Sequence, residues 1–237
     1  MNIQIKLPLL FLCLTIICYV NAQDAPVENY LQRVGAYTEI YTGKMEASYN
    51  TLQYKNLPYY LNADFTNATV VYKKNNYPNQ KARLDLYKEQ LILMSPGKQY
   101  PIIVCSSDVE KVYMYAKTFV WMDPSKESGL KAGYYIRLSE GEKMQLFCKE
   151  KYVLRQEVSL DGSFYYFERN TRYYLLYNDQ YHTVKNKNSF FKLFPQYKKQ
   201  INKFVKDHKL DFKLQADVSL SSLVNYCEEL LTSTSKK

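Results

Sequence analysis

From about residue 60 to residue 184 apolar residues recur at every second position, in short runs separated by turn-forming pairs. Ala68, Val70 and Tyr72 alternate with Thr69, Val71 and Lys73, and Ala82, Leu84 and Leu86 alternate with Arg83, Asp85 and Tyr87. Tyr134, Ile136 and Leu138 share one parity, as do Met144, Leu146 and Cys148. A period of two sends successive side chains to opposite faces of an extended chain, so these runs read as half-buried strands. Further strand segments are residues 90–94, 101–105, 109–115, 118–122, 152–158, 164–169, 172–177 and 180–184. Turns are expected at Asn75-Asn76, Ser95-Pro96-Gly97, Glu140-Gly141, Asp161-Gly162 and Asn178-Asp179. Parallel pairs need long crossovers, so such short connections make neighbouring strands antiparallel. The pattern predicts an α+β fold, mostly β, in which an antiparallel meander curls into an open barrel or a sandwich.

Near residue 188 the period becomes helical. Ser189 is placed to cap the turn 190–194, and Pro195 suits the first position of the next helix. Tyr197, Ile201, Phe204, Val205 and His208 then form a stripe, with Lys198, Lys199, Lys203 and Lys206 opposite. After Asp217, a second stripe runs through Leu220, Leu223, Val224, Cys227, Leu230 and Leu231. Two C-terminal amphipathic helices are therefore expected to pack on the sheet. The chain divides into residues 1–22, a β-rich domain over 23–187 and a helical segment over 188–237.

Residues 1–22 have the form of a secretory signal: Lys6, an apolar run over 7–20, and Val20-Asn21-Ala22 as the cleavage site. The run of 14 residues is shorter than the roughly 20 a membrane span requires. Cleavage after Ala22 leaves a chain with no transmembrane segment, exported to the periplasm, the cell surface or beyond. The signal holds one Lys and no acid, so the formal charge of +9 falls to +8. The lysines are scattered in singles and doublets, which reads as a solvated surface and not as a nucleic-acid-binding tail. Cys105, Cys148 and Cys227 remain. Cys105 and Cys148, both in strand-like segments, are the candidate disulfide, and three buried thiols are the alternative.

The chemistry usual in enzymes leaves little trace. His182 and His208 are the only histidines and lie in different elements. No Walker loop, G-x-G-x-x-G or G-x-S-x-G occurs, and Ser95-Pro96-Gly97-Lys98 lacks the companion motifs of an S-x-x-K enzyme. No cofactor or metal is expected. Glu140 with Glu142, and Glu157 with Asp161, are the nearest carboxylate pairs, and each flanks a turn. Tyrosine stands out, with 25 against 11 Phe and 1 Trp, and its apolar body and polar tip suit half-buried strand positions. The adjacent pairs Tyr134-Tyr135, Tyr165-Tyr166 and Tyr173-Tyr174 each put one ring on the outer face if the other is buried, making candidate ligand surfaces.

Four stretches together carry a resemblance: residues 57–60 (LPYY), 68–86, 133–138 with Glu140-Gly141 and 147–152, and 191–210 (FKLFPQYKKQINKFVKDHKL). Their order resembles an uncharacterised family of exported Bacteroidota proteins. The resemblance implies a periplasmic or surface location and brings no known activity. The resulting expectation is a non-enzymatic envelope protein that binds a protein or glycan partner. The alternative is a hydrolase of an envelope polymer using carboxylates far apart in the sequence.

Overall fold

The computed structural model describes residues 38–98, 100–123, 129–160 and 162–234; the expected signal segment and Asp161 lie outside them. Eleven strands form one antiparallel sheet: β1 (Lys44–Met45), β2 (Thr66–Tyr72), β3 (Asn75–Asp85), β4 (Gln90–Met94), β5 (Pro101–Ile103), β6 (Val109–Met114), β7 (Lys117–Met122), β8 (Gly133–Glu140), β9 (Met144–Ser159), β10 (Gly162–Tyr177) and β11 (Gln180–Val184). Their order is β1-β5-β4-β3-β2-β6-β7-β8-β9-β10-β11. Two meanders, β2–β5 and β6–β11, are thus fused where β6 returns beside β2. The single open sheet curls around one core cluster drawn from β2–β4 and β6–β9, and among the described residues it does not divide into the two layers of a sandwich.

The first hairpin turns two residues earlier than Asn75-Asn76. Lys73 and Lys74 take left-handed φ of 47° and 66°, the twist that two-residue hairpins favour. That register buries Tyr72 and Tyr77 together, edge to face at 6.3 Å, and a one-residue slip would turn both to solvent. Asn178 and Asp179 turn the chain where expected, with φ of 49° and 59°. The segments anticipated as four separate strands between 144 and 177 are two continuous strands, β9 and β10, paired from Met144↔Tyr177 to Ser159↔Gly162. The apolar pattern lapses near Lys149–Lys151, yet the backbone ladder runs on, because it needs alternation of faces and not apolarity.

Beyond Arg172, toward its start, β10 has no β11 beside it, and an open edge invites foreign pairing. A strap from residues 53–60 covers it. The Lys55 N–H donates to the Tyr165 carbonyl at 2.8 Å, and Asn56 bonds both the N–H and the carbonyl of Phe167, at 2.7 and 2.9 Å. The strap's other end is tied to β3 and its exit: the Tyr60 N–H donates to the Leu84 carbonyl and the Leu86 N–H to the Pro58 carbonyl. The Tyr152 N–H also reaches the Leu86 carbonyl, at 3.2 Å. Inside the curl lie Val70, Leu84, Leu91, Leu93, Val112, Phe119, Tyr134 and Ile136.

Three helices, and not two, cover the far end of the same inner face: α1 (Lys187–Leu193), α2 (Lys198–Asp207) and α3 (Ala216–Thr234). Asn186, and not Ser189, caps α1 by accepting the Asn188 N–H at 2.9 Å. Ser189 Oγ is taken by the Lys185 N–H. Pro195 opens a short 3-10 turn before α2. Ile201, Leu220, Leu223, Val224 and Cys227 are buried against Met144, Leu146, Leu175 and Val184. Among the described residues no helix is long and apolar enough to cross a membrane.

Candidate ligand groove

The six tyrosines of the candidate surface do not form one row. Tyr134 and Tyr135 are both buried, at 1 % exposure each. Tyr134 faces inward, against Trp121 and with its hydroxyl 3.2 Å from Ser106 Oγ. Tyr135 faces outward, but it packs in a small cluster with Leu130, Met122 and Phe147, and its hydroxyl donates to the Lys131 carbonyl at 2.8 Å. Alternation alone could not show that the segment entering β8 would pack over its outer face. Tyr165 is exposed beside the strap and Tyr166 is half-buried. Tyr173 turns inward and donates to Asp217 Oδ1 at 2.8 Å. Tyr174 meets Tyr135 edge on, with ring centres 6.0 Å apart. Tyr135 and Tyr174 are therefore the two candidates brought together. Cys105 and Cys148 are not paired: Cys105 is exposed, while Cys148 and Cys227 are buried, and all three are free thiols.

Around Tyr135 and Tyr174 lies a hollow of about 530 Å³ on the outer face of β8, β9 and β10. Lys131, Lys149, Lys151, Arg155 and Arg172 line it with Asn170, and among the described residues no carboxylate does. The clustering follows from register. Lys149, Lys151 and Arg155 have one parity on β9, and Asn170 and Arg172 face Lys151 and Lys149 across the ladder. Lys149 directly opposite Arg172 is a like-charge pair, which costs sheet stability of roughly 0.2–1 kcal/mol. One member is neutralised from behind. Glu89, in the turn after β3, meets the Lys149 ammonium at 2.7 Å. That ammonium also donates to the Tyr134 carbonyl and lies 4.6 Å over the Tyr135 ring. Burial raises the Glu89 carboxyl and lowers the Lys149 ammonium from their ordinary pKa values. Gly133 makes room for the pair: its φ is +145°, and a Cβ there would run into the Lys149 ammonium and the Glu89 carboxylate.

Arg155 is paired with Glu168 at 2.8 Å on an exposed surface. Among the described residues Lys131, Lys151 and Arg172 carry no ion pair. The groove thus has a neutralised floor, an aromatic wall and three free cations at its rim. Such a concave, one-signed field concentrates anions.

The carboxylates expected near one another are engaged elsewhere. Glu140 pairs with Arg137 and Glu157 with Lys55. A larger hollow of about 800 Å³ between β9, β10 and the start of α3 does bring Glu150 near Asp217. Burial raises the Glu150 carboxyl. Both Asp217 oxygens are occupied, one by the Tyr173 hydroxyl and one by the Lys117 ammonium at 2.8 Å. His182 lies in β11 and His208 closes α2 with Nδ1 at 3.0 Å from the Phe204 carbonyl. Among the described residues no group of three or more His, Cys, Asp or Glu is placed to hold a metal ion. No family model, curated protein or solved structure matches this chain.

Proposed function

We propose that the chain is an exported, non-enzymatic protein of the cell envelope that binds an acidic glycan in the groove on its outer sheet face. The observation that carries the reading is the set of three cations, Lys131, Lys151 and Arg172, that have no ion pair and no lining carboxylate among the described residues, around a tyrosine-walled hollow. Holding three cations close together in one hollow costs free energy through their mutual repulsion, and a bound carboxylate or sulfate would offset that cost. Tyr174 offers a half-exposed ring edge for a sugar, and Asn170 offers an amide for hydroxyl groups.

Calorimetric titration with an oligogalacturonate, and with a neutral cello-oligosaccharide of equal length, tests this. Binding of the uronate alone, weakening with salt and lost in Lys151→Glu with Arg172→Glu, is the expected result. Equal affinity for the neutral sugar, or unchanged uronate binding in the double variant, would overturn it. The hydrolase reading rests on Glu150 beside Asp217. It requires an Asp217 freed from Tyr173 and Lys117, and it predicts reducing ends released from an envelope polymer by the parent chain and not by Glu150→Gln.

A further inference from the structure

Residues 185–213, which hold α1 and α2, contain nine lysines and two aspartates. Their formal charge of +7 is most of the +9 of the whole chain. Where this segment ends, two apolar side chains stand in solvent: Leu214 is 87 % exposed and Val218 is 63 % exposed. Most other exposed apolar residues are scattered, which needs no explanation. These two are four residues apart at the entry of α3 and share the rim of one hollow with Lys185 and Lys213. A neighbouring hollow joins Lys185 to Lys209 and Lys213.

The apolar pair is held, and not merely loose. Asp211 Oδ1 accepts the N–H groups of both Lys213 and Leu214, at 2.8 and 2.9 Å. The Asp211 carbonyl accepts the Gln215 N–H and the Ser219 hydroxyl. The acids nearby are all engaged: Asp211 in this turn, Asp217 by Lys117 and Tyr173, and Glu150 opposite Arg169 at 3.7 Å. A rigid turn that lifts a leucine and a valine out of a field of lysines is the arrangement a bilayer interface rewards. The apolar tips enter the acyl boundary and the ammonium groups meet anionic headgroups.

We propose that the turn between α2 and α3 docks the protein on an anionic lipid surface, with Leu214 and Val218 inserted and Lys185, Lys209 and Lys213 at the headgroups. Arg172 lines both this hollow and the groove, but none of the five docking residues lines the groove, and the proposal does not depend on the glycan reading. Charge complementarity selects an anionic membrane over a second copy of this chain, which would bring the same positive face against itself.

Cosedimentation of the full chain with phosphatidylcholine vesicles, with and without phosphatidylglycerol, reads this directly. The parent is expected to bind only the vesicles that contain phosphatidylglycerol, and less so as salt rises. Leu214→Glu with Val218→Glu should lower partitioning by roughly tenfold or more, and Lys209→Glu with Lys213→Glu by roughly tenfold. All four residues are exposed, so thermal midpoints should stay at the parent value. Lys131→Glu with Lys151→Glu in the groove, and Val158→Glu with Leu160→Glu at the β9–β10 tip, should leave vesicle binding unchanged. No binding to phosphatidylglycerol vesicles would overturn the proposal. So would undiminished binding by the Leu214 and Val218 variant, loss from the hairpin-tip variant instead, or a parent dimer in gel filtration that this variant disperses.

Discussion

Replacing Lys149 by methionine removes the cation on which Glu89 depends and keeps most of the side-chain volume. The two side chains are 8 % and 11 % exposed and their charges meet at 2.7 Å. At an effective dielectric of about 20, the attraction at that separation is about 6 kcal/mol. Desolvation costs several kcal/mol for each ion, so the intact pair contributes little net stability. Losing one partner is different, because the remaining carboxylate keeps its desolvation cost and, among the described residues, only the Tyr134 N–H, at 2.9 Å, still hydrogen-bonds to it; the expected loss is about 3–5 kcal/mol. The pH dependence has a definite sign. Glu89 already titrates above its ordinary 4.5 because of burial, and without Lys149 it rises further. A folded-state pKa above the unfolded one means that the folded chain binds more protons. The contribution is then fully present below pH 4.5 and is lost as pH rises through the folded value. Urea unfolding of Lys149→Met at about pH 5 and about pH 8 should therefore show the larger defect at the higher pH. Glu89→Gln with Lys149→Met should recover much of the loss. The reasoning fails if Lys149→Met costs no more than a surface change, under about 0.5 kcal/mol, or if the two single losses simply add.

Asn56→Ala should strip the Phe167 N–H and carbonyl of their partners at the edge of β10. A loss of about 1–3 kcal/mol is expected, with faster hydrogen exchange confined to residues 53–56 and 162–168; unchanged exchange there would show that the strap does not guard the edge. Thiol titration should find one reactive cysteine in the native chain, Cys105, and all three in denaturant. Cys148 is pushed up by burial and Cys227 is pushed up to about 12 by the same cause, so early reaction of either, or absence of a reactive Cys105, would contradict the packing.

The strand content was legible because alternation and burial are the same constraint. Val70, Leu84, Phe119 and Ile136 had to face one way, and they do. What the period could not supply was anything set by the third dimension. The return of β6 beside β2 places Val112 opposite Val70, a pairing across 42 positions that no local pattern announces. The turn at Lys73-Lys74 had no Gly or Asn to mark it; it was decided by the joint burial of Tyr72 and Tyr77. Asn186 caps α1 because the helix begins at Lys187, one turn earlier than expected, which puts Ser189 inside the first turn with its hydroxyl accepting the Lys185 N–H.

The groove was half legible. Lys149, Lys151 and Arg155 share a parity in the sequence, and that alone places three cations on one face of a strand. The signal was hidden because the same residues read as scattered charge when counted without their period. Arg172 joins them only through the β9–β10 register, and Glu89 only through the curl that carries the β3–β4 turn to β8 and β9. The tyrosine pairs illustrate the converse. Adjacent residues on a strand must face opposite ways, yet Tyr135 shows that facing outward is not the same as meeting solvent. Buried there, it serves as a wall under Lys149 and beside Tyr174, so on the proposed reading the binding energy would lie in the charges of the groove more than in its rings. Salt dependence of acidic-glycan affinity is then the property by which the proposal is most directly tested.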